Sequence, residues 1–445
     1  MIRLAARLSA LFAVCALLSA VRAEERPLRI AVMSDVQGYP YAEDAGMRNL
    51  EKALDWFAAL KPDVVVNNGD INDSGRNVDA VAYYRRRCDE RLGELPHVNC
   101  LGNHELVIPA EMRPLRNEAK CRAEFNALFG AGPGKLVHRV IGGCDFIAYA
   151  FGSSAGYTDA EMDELDAALK QATARDATRP IFVVTHYHPK DTVNSSRSDD
   201  AGGRLFKTLA AYPQVVNLSG HSHNPLQDPR SIWQGAFTVI DTSTLCYGCL
   251  TAPKPCANMI SSLMPYGHEA VGCLMLEVYP DRIVVRRYSV GQGVELEPES
   301  PWTLRLPYDP KAPQFDFAGR AAHEAAPEFP SDPKPALWYD YGYAYLMFDA
   351  VTDRSSVFVY RVDLAQDGGE TKTYYHLADF YRAPSLRVPR IAFRAPPHSL
   401  QSGGSYQVTI TPLGFFGTAG KPISWHLRIQ PQYRFGNLPP SFVQE

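Results

Sequence analysis

In Val98-Asn99-Cys100-Leu101-Gly102-Asn103-His104-Glu105, a short apolar run ends in four residues that suit neither helix nor strand. Asn103 offers a neutral amide oxygen, and His104 offers a titratable imidazole. Open α/β sheets place their chemistry at the carboxyl ends of strands. A Gly-Asn turn followed by a surface histidine explains an isolated stretch of this kind more simply. The interpretation therefore depends on whether similar clusters end other strands.

Apolar β-branched runs and helical periodicities alternate along the first half of the chain, which predicts a parallel sheet flanked by helices. The predicted strands are 28–34, 63–66, the run before Gly102, 145–151, 181–184 and 215–218, and the predicted helices are 43–60, 77–92, 118–129, 159–173 and 203–211. Residues 236–241 and the hairpin 273–279 and 282–290 are predicted to pair antiparallel, so the sheet is expected to be mixed.

Polar clusters end four other predicted strands in the same way. They are Asp35-x-Gln37, Gly69-Asp70, His186 and Gly220-His221-x-His223. Together with Asn103 they supply carboxylates, amides and imidazoles, a mixed oxygen and nitrogen donor set that suits two transition-metal ions. Each cluster alone has a simpler explanation, because Asp70 fits a turn and a histidine at a strand exit is often hydrogen-bonded. Five clusters at successive strand ends are not expected by chance.

This ordered set of motifs resembles the calcineurin-like metallophosphoesterase superfamily over residues 28–290. The resemblance implies an α/β fold of four layers, α/β/β/α, with two packed mixed sheets and a dinuclear metal centre. It implies that Asp70 bridges the ions, that Asp35, Gln37 and His223 complete the first site, and that Asn103, His186 and His221 complete the second. His104 would not ligate and would instead assist the leaving group.

The activity implied by the resemblance is hydrolysis of a phosphomonoester or phosphodiester by attack of a metal hydroxide. The ions would be Mn, Fe or Zn, divalent or of mixed valence. Two divalent ions bring a charge of about +4, and Asp35, Asp70 and a hydroxide bring about −3, so an anionic ester is attracted. General acid catalysis by His104 would contribute ~10²–10⁴-fold.

Some positions depart from the family pattern or have no role in it. Gln37 stands where histidine is more common, which is expected to weaken the first site. Asp73 stands where the purple acid phosphatases carry a tyrosine ligand, so no iron–tyrosinate colour is expected. His188 is expected to be a solvated histidine, with a role near the metals or the substrate as the alternative. Glu105 has no assigned task.

Residues 1–23 are predicted to be a cleaved signal peptide, so the protein is expected to be secreted or periplasmic. Arg3 and Arg7 precede the apolar run 8–18, and small residues flank Arg22. An uncleaved anchor is the alternative, but the run is too short to span a membrane comfortably. No transmembrane segment is expected after cleavage. The mature chain would carry 42 basic and 49 acidic residues, a charge of −7, which gives no nucleic-acid-binding signature.

Composition divides the rest of the chain. Hydrophobic residues make up 46% and charged residues 21%, an ordinary globular composition that excludes wholesale disorder. The predicted units are a metallophosphoesterase domain at 24–306, a linker at 307–335 rich in proline, alanine and charge, an all-β sandwich at 336–430 and a tail at 431–445. Residues 405–422 resemble the late strands of a fibronectin type III domain, with Tyr406 as its corner tyrosine.

Eight cysteines would remain after cleavage. An even number in an exported protein predicts disulfides, and the long loop 243–270 is expected to be a disulfide-pinned wall of the substrate cleft. The alternative is a structural zinc site. It would use the motif Cys246-x-x-Cys249 with Cys256 and Cys273.

The substrate is expected to be a small phosphate ester or one derived from the cell envelope: a nucleotide or cyclic nucleotide, a phospholipid headgroup or an envelope phosphate. A function of another class is also consistent with the sequence. In that case the catalytic fold is a weakly active scaffold, and the β-sandwich binds a surface polymer or a protein. The absence of turnover on generic aryl phosphates would favour that alternative.

Overall fold

The computed structural model describes residues 26–74, 78–108, 117–150, 157–193, 201–250, 264–340, 343–396 and 398–430. The predicted signal peptide and C-terminal tail lie outside these residues. No helix in the described ranges is long and apolar enough to cross a membrane.

Two mixed β-sheets form the larger unit. Their strands are β1 (Leu28–Met33), β2 (Val64–Asn67), β3 (His97–Asn99), β4 (Leu136–Ile141), β5 (Cys144–Tyr149), β6 (Ile181–Val184), β7 (Val215–Ser219), β8 (Ile232–Gln234), β9 (Thr238–Asp241), β10 (Gly272–Val278), β11 (Arg282–Ser289), β12 (Val294–Leu296) and β13 (Trp302–Arg305). The first sheet has the order β12-β11-β10-β1-β2-β3, with β13 beside β11, and the second has the order β4-β5-β6-β7-β9-β8. Strands β1, β2 and β3 run parallel, as do β5, β6, β7 and β9.

The helices cover the outer faces of the two sheets. They are α1 (Ala45–Leu60), α2 (Val78–Leu92), α3 (Asn103–Leu106), α4 (Glu118–Leu128), α5 (Asp159–Arg175) and α6 (Arg204–Leu209). Side chains alternate along β1: Ile30 and Val32 pack against Phe182 of the second sheet, whereas Ala31 and Met33 pack against α1. Helices α5 and α6 pack on the far side of the second sheet. The predicted four-layer α/β/β/α fold is confirmed.

Helix α1 shows how the sequence sets one of these elements. Met47, Leu50, Leu54 and Phe57 recur at three- and four-residue spacing and are completely buried. The Asp44 carboxylate accepts a hydrogen bond from Met47 N at 3.0 Å and caps the first turn, a contact typically worth ~1 kcal/mol. Lys61, in the left-handed region at φ 54°, ends the helix.

The second sheet differs from the prediction at its edges. Strand β9 pairs parallel with β7, and it is antiparallel only to the three-residue strand β8, which was not predicted from the sequence. Strand β4 was not predicted either, because its half-exposed side chains show no apolar alternation. The antiparallel hairpin of β10 and β11 is confirmed.

The second unit is an all-β sandwich. Its strands are β14 (Ala336–Asp340), β15 (Tyr343–Asp349), β16 (Val359–Gln366), β17 (Thr371–Leu377), β18 (Arg390–Arg394), β19 (Ser405–Leu413) and β20 (Ile423–Arg428). Sheets of order β14-β15-β18 and β17-β16-β19-β20 enclose one apolar core. The phenol of Tyr406 accepts a hydrogen bond from Gln401 N at 2.7 Å, the contact expected of a corner tyrosine.

The predicted linker, residues 307–335, holds a short helix, α7 (Phe317–Ala322), and touches both units. Arg320 donates a hydrogen bond to Pro229 O at 2.6 Å in the first unit. The Glu324 carboxylate accepts one from Phe416 N at 3.0 Å in the sandwich. The segment therefore fastens the two units to each other.

Candidate metal centre

All five predicted clusters lie just beyond the carboxyl ends of strands, four of them in loops. Asn103 and His104 instead begin the short helix α3, where no helix was expected. Asp35 and Gln37 follow β1, Asp70 follows β2, Asn103 and His104 follow β3, His186 follows β6, and His221 and His223 follow β7. Backbone hydrogen bonds join these loops, since Gln37 N donates to Asp70 O at 2.9 Å and Gly220 N donates to His186 O at 2.9 Å. His221 N reaches across to the Asp35 carboxylate at 2.9 Å. The five clusters thus form one site at the same edge of both sheets.

Most of the predicted ligands have a strained, left-handed backbone conformation. Five of the seven predicted metal ligands have a positive φ: Asp35 (51°), Gln37 (45°), Asp70 (56°), His221 (63°) and His223 (55°). A residue with a Cβ adopts this region at a cost of order 1 kcal/mol or more, and such residues concentrate at functional sites. Each turn directs a side chain from a strand end towards the centre of the site.

Two motif glycines are required by close approach. A Cβ on Gly102 would lie 2.1 Å from Asp70 Oδ1, and a Cβ on Gly220 would lie 1.9 Å from Ser34 Oγ and 2.6 Å from Asp35 Oδ2. Any larger residue would push against a carboxylate of the site. Gly102 itself has a φ of −97°, which any residue adopts, so it is needed for space rather than for bending the chain.

One group of donor atoms gathers around Asp70. His186 Nε2 lies 3.2 Å from Asp70 Oδ2, 3.0 Å from Asn103 Oδ1 and 3.2 Å from His221 Nδ1. Within the described ranges, Asp70, His186 and His221 form the one group of three acidic, histidine or cysteine residues whose ligand atoms lie close enough to share an ion. The amide nitrogen of Gln37 is 3.5 Å from Asp70 Oδ2, and a half-turn of the amide would present its oxygen instead.

A second group pairs Asp35 with His223. His223 Nε2 is 3.2 Å from Asp35 Oδ1, and this buried oxygen has no hydrogen-bond partner among the described residues. His223 Nδ1 lies 2.8 Å from Tyr247 O, just as His186 Nδ1 lies 2.7 Å from Asn68 O. A carbonyl on Nδ1 places the proton there and leaves the Nε2 lone pair for a cation.

The charges in the donor group favour a bound positive charge. Burial would raise the pKa of Asp70, but the His186 imidazole outweighs it and holds that pKa below its ordinary range. Burial would lower the pKa of His186, yet the Asp70 carboxylate raises it to about 9. A proton on His186 thus supplies the cation that converging oxygen and nitrogen lone pairs require. These residues fit transition-metal ions, which accept both kinds of ligand.

His104 borders the donor group rather than joining it. Its Nε2 is 3.9 Å from Asp70 Oδ2, and 30% of the side chain is exposed. Its backbone N donates to Asp70 Oδ1 at 2.8 Å, and its Nδ1 lies 2.5 Å from Asp73 O. Burial would lower the pKa of His104, but the Asp70 carboxylate raises it above its ordinary value. The ring is therefore fixed beside the donors with Nε2 facing them.

Glu105, for which no task was predicted, fastens two of the loops. Its buried carboxylate accepts hydrogen bonds from Asp70 N at 3.0 Å and Ile71 N at 2.6 Å. It also accepts from Asn72 N at 3.3 Å and Gly102 N at 2.7 Å. Burial raises the pKa of Glu105 to about 7, and the Asp70 carboxylate adds to the shift. The spacing from Gly102 is that of a capping box, which is the sequence signal that could have identified this contact.

His188 was expected to be solvated, but it is completely buried. The chain turns after it, with Thr192 Oγ1 donating to Pro189 O at 2.6 Å, and then buries Val193 against helices α5 and α6. Asp73, at the position of the family tyrosine, accepts a hydrogen bond from the phenol of Tyr39 at 3.0 Å.

The expected disulfides do not appear among the described cysteines. The structure pairs none of Cys88, Cys100, Cys121, Cys144, Cys246, Cys249 and Cys273 with another of these seven. Several pack as small apolar side chains in the cores of the first unit. The described cysteines also form no metal-binding group of the predicted zinc type. Cys256 and the middle of the 243–270 loop lie outside the described residues.

Residues 28–225 match the family model of the calcineurin-like phosphoesterases. The chain contains a calcineurin-like phosphoesterase domain. Members of this family use a dinuclear metal centre, in agreement with the donor set at the strand ends of the phosphoesterase domain. No curated protein sequence matches the chain.

Several solved structures are similar to the chain. A dimetal phosphatase from Danio rerio is 12% identical, with a TM-score of 0.44 over 64% of this chain and 100% of that chain. A purple acid phosphatase from yellow lupin seeds is 12% identical, with a TM-score of 0.45 over 62% of this chain and 53% of that one. A 5′-nucleotidase precursor from Thermus thermophilus is 13% identical, with a TM-score of 0.32 over 66% and 57%. Similarity at this level carries no information about the substrate.

Proposed function

We propose that the chain is an exported dinuclear-metal phosphoesterase that hydrolyses a phosphomonoester or phosphodiester. The observation that carries this proposal is the convergence of Asp70, Asn103, His186 and His221 from four separate strand ends, with Asp35 and His223 beside them. Asp70 would be shared by the two ions, Asp35, Gln37 and His223 would hold the first, and Asn103, His186 and His221 would hold the second. When bound, the ions lower the pKa of a shared water, orient the ester and neutralise its developing charge.

The remaining roles belong to the protein's own groups. The carbonyls of Asn68 and Tyr247 hold the rings of His186 and His223 with Nε2 towards the site. Asp73 O occupies Nδ1 of His104, so Nε2 is free to donate a hydrogen bond to the ester. This bond would stabilise the leaving oxygen or an oxygen of the phosphoryl group, which is general acid assistance.

The test compares p-nitrophenyl phosphate with bis(p-nitrophenyl) phosphate as substrates of the metal-loaded full chain. Turnover of at least one ester, lost in Asp70→Asn and kept in Asp281→Asn, is expected. Asp281 is a suitable control because its side chain is 71% exposed in the turn between β10 and β11. No turnover above buffer would contradict the enzymatic proposal and favour the scaffold function.

Export is part of this proposal and rests on residues 1–23 alone. A mature chain recovered outside the cytoplasm is expected to lack these residues, and N-terminal sequencing of that chain is the measurement. Recovery of an intact N-terminus in the membrane fraction would favour the uncleaved anchor.

A further inference from the structure

Exposed tyrosine rings border the metal centre. Tyr39 is 37% exposed, Tyr41 is 49% exposed, and Tyr247 is 37% exposed. Tyr39 and Tyr41 follow the predicted ligand Gln37 by two and four residues, and Tyr247 contacts the predicted ligand His223. Large apolar surfaces beside a polar centre are typical of a ligand-binding rim.

Tyr247 is held at one side of the site. Its ring centroid is 4.5 Å from that of His223, and its carbonyl lies 2.8 Å from His223 Nδ1. The neighbouring backbone is anchored as well, because Thr244 Oγ1 donates to Asp35 O at 3.1 Å and Cys249 N donates to His223 O at 3.0 Å. The ring is therefore at a fixed place next to the Asp35 and His223 pair.

Tyr39 and Tyr41 form a second patch of aromatic surface, which Asp73 links to His104. The two rings stack with centroids 5.9 Å apart and planes 24° from parallel. The phenol of Tyr39 donates to Asp73 Oδ2 at 3.0 Å, and the carbonyl of Asp73 lies 2.5 Å from His104 Nδ1. Aromatic surface thus stands beside the residue expected to face the leaving group.

We propose that these tyrosines bind a planar ring in the leaving group, so that the preferred substrates are phosphate esters of nucleosides or aryl alcohols. The inference rests on the proposed phosphoesterase function. A flat ring stacks on an aromatic face in addition to burying apolar area, whereas glycerol or another aliphatic alcohol does not gain this contact. Tyr247 is the main specificity-determining residue, and Tyr39 and Tyr41 extend the surface.

The first test measures equilibrium binding and needs no catalysis. Calorimetry on the metal-loaded full chain compares phenylphosphonate with methylphosphonate, neither of which is hydrolysed. Phenylphosphonate is expected to bind ~10-fold more tightly, the scale of a favourable aromatic pair. Tyr247→Ala should remove most of that difference while Tyr247→Phe keeps it. Trp338→Ala, which removes a more exposed aromatic side chain in the sandwich (50%), should leave it unchanged. Equal binding of the two phosphonates by the wild type, or a difference that Tyr247→Ala leaves intact, overturns the inference.

The second test identifies the source of the ring. Values of kcat/KM for adenosine 5′-monophosphate, p-nitrophenyl phosphate and glycerol 3-phosphate are compared in the wild type and Tyr247→Ala. Preference for the nucleotide assigns a nucleoside, and preference for the nitrophenyl ester assigns an aryl alcohol. A preference for the glycerol ester that Tyr247→Ala does not alter overturns the inference. If no ester is hydrolysed while the phosphonates still differ, the proposed function fails and ring binding stands.

Discussion

Glu105 shows how one buried carboxylate sets the geometry of a site without facing it. Four backbone N–H groups from the loops of Asp70 and Gly102 donate to its two oxygens. The carboxylate is only 4% exposed, so these donors have no water to replace it. Its loss would leave buried N–H groups unpaired and release the loop that carries Asp70.

Glu105→Gln is therefore expected to lower both stability and metal affinity. The amide keeps one acceptor oxygen but turns an NH₂ group towards two of the donors, a loss of about 1–3 kcal/mol in the free energy of unfolding. Chemical denaturation and metal-binding calorimetry measure the two effects. Glu118→Gln, at an exposed position in the first turn of α4, is the control. An unchanged metal affinity in Glu105→Gln would contradict the role given to this carboxylate.

His104 and Asp70 are expected to separate catalysis from metal binding. Since His104 Nε2 lies 3.9 Å from Asp70 Oδ2 and its ring is partly exposed, His104→Ala should keep both ions and lose ~10²-fold or more in kcat. Parallel kinetics and metal analysis check this prediction. Loss of metal from His104→Ala as complete as that from Asp70→Ala would show that His104 is a ligand.

At the scale of elements, the sequence predicted the strands that carry the site better than the edges of the sheets. Strands β1, β2, β6 and β7 are buried apolar runs that end in polar clusters, and both features are visible locally. Strand β4 is half exposed and lacks alternation, so it was missed.

Contacts between distant parts of the chain explain the other differences between sequence and structure. The donors to Glu105 include Asp70 N, 35 residues earlier in the chain. The burial of His188 depends on a turn and on the packing of Val193. Neither contact can be read from the pattern of apolar residues. The candidate metal ligands can be found from the sequence because each follows a predicted strand.

Strand β3, which precedes Asn103, is fastened to its helices by a buried histidine. His97 is 2% exposed, lies across Tyr84 of α2 and stacks on Phe129 at the end of α4, with ring centroids 6.3 and 5.5 Å away. Burial lowers the pKa of His97 to about 3, and the charges of Arg85 and Arg139 add to the shift. The folded protein therefore holds this ring neutral.

This depressed pKa predicts acid sensitivity. Between about pH 6.5 and pH 3 the unfolded chain binds a proton at His97 that the folded chain does not, so stability is complete above that window and falls as the pH drops through it. Between pH 7 and pH 5 the protonation of His97 in the unfolded chain lowers the free energy of unfolding by about 2 kcal/mol. Urea denaturation at several pH values gives the free energy of unfolding as a function of pH. This free energy should fall less steeply with decreasing pH in His97→Leu than in the wild type. The exposed His426→Leu is the control, and equal slopes in all three proteins would contradict the prediction.

At the scale of the whole molecule, the β-sandwich supports the loop that orients His223. Arg382 donates to both oxygens of Glu269, at 3.1 and 3.4 Å, and the phenol of Tyr381 donates to Pro265 O at 2.6 Å. Pro265 and Glu269 flank Gly267, whose carbonyl accepts a hydrogen bond from Gly248 N at 2.9 Å. Gly248 directly follows Tyr247, whose carbonyl holds the His223 ring. These contacts thus link the sandwich to the candidate metal centre.

Arg382→Met is expected to weaken metal binding several-fold without abolishing it. Removing one partner of this largely buried pair should also cost about 1–3 kcal/mol of stability. Arg354→Met is the matched control, because its pair with Asp379 is similarly buried but lies within the sandwich. Calorimetric metal titration separates the two variants. If Arg382→Met and Arg354→Met lose the same stability and bind metal equally well, the sandwich does not support the metal site.

Asp70 is expected to join two metal ions at the ends of five strands, and the proposed function depends on this metal centre. Its most direct test is the metal content of the purified chain, measured by mass spectrometry after incubation with Mn, Fe or Zn and removal of free ions. The wild type is expected to retain about two ions per chain, the stoichiometry of a dinuclear hydrolase, and Asp70→Ala to retain neither. A wild type that holds no ion, or an Asp70→Ala variant that keeps the full complement, would contradict the claim.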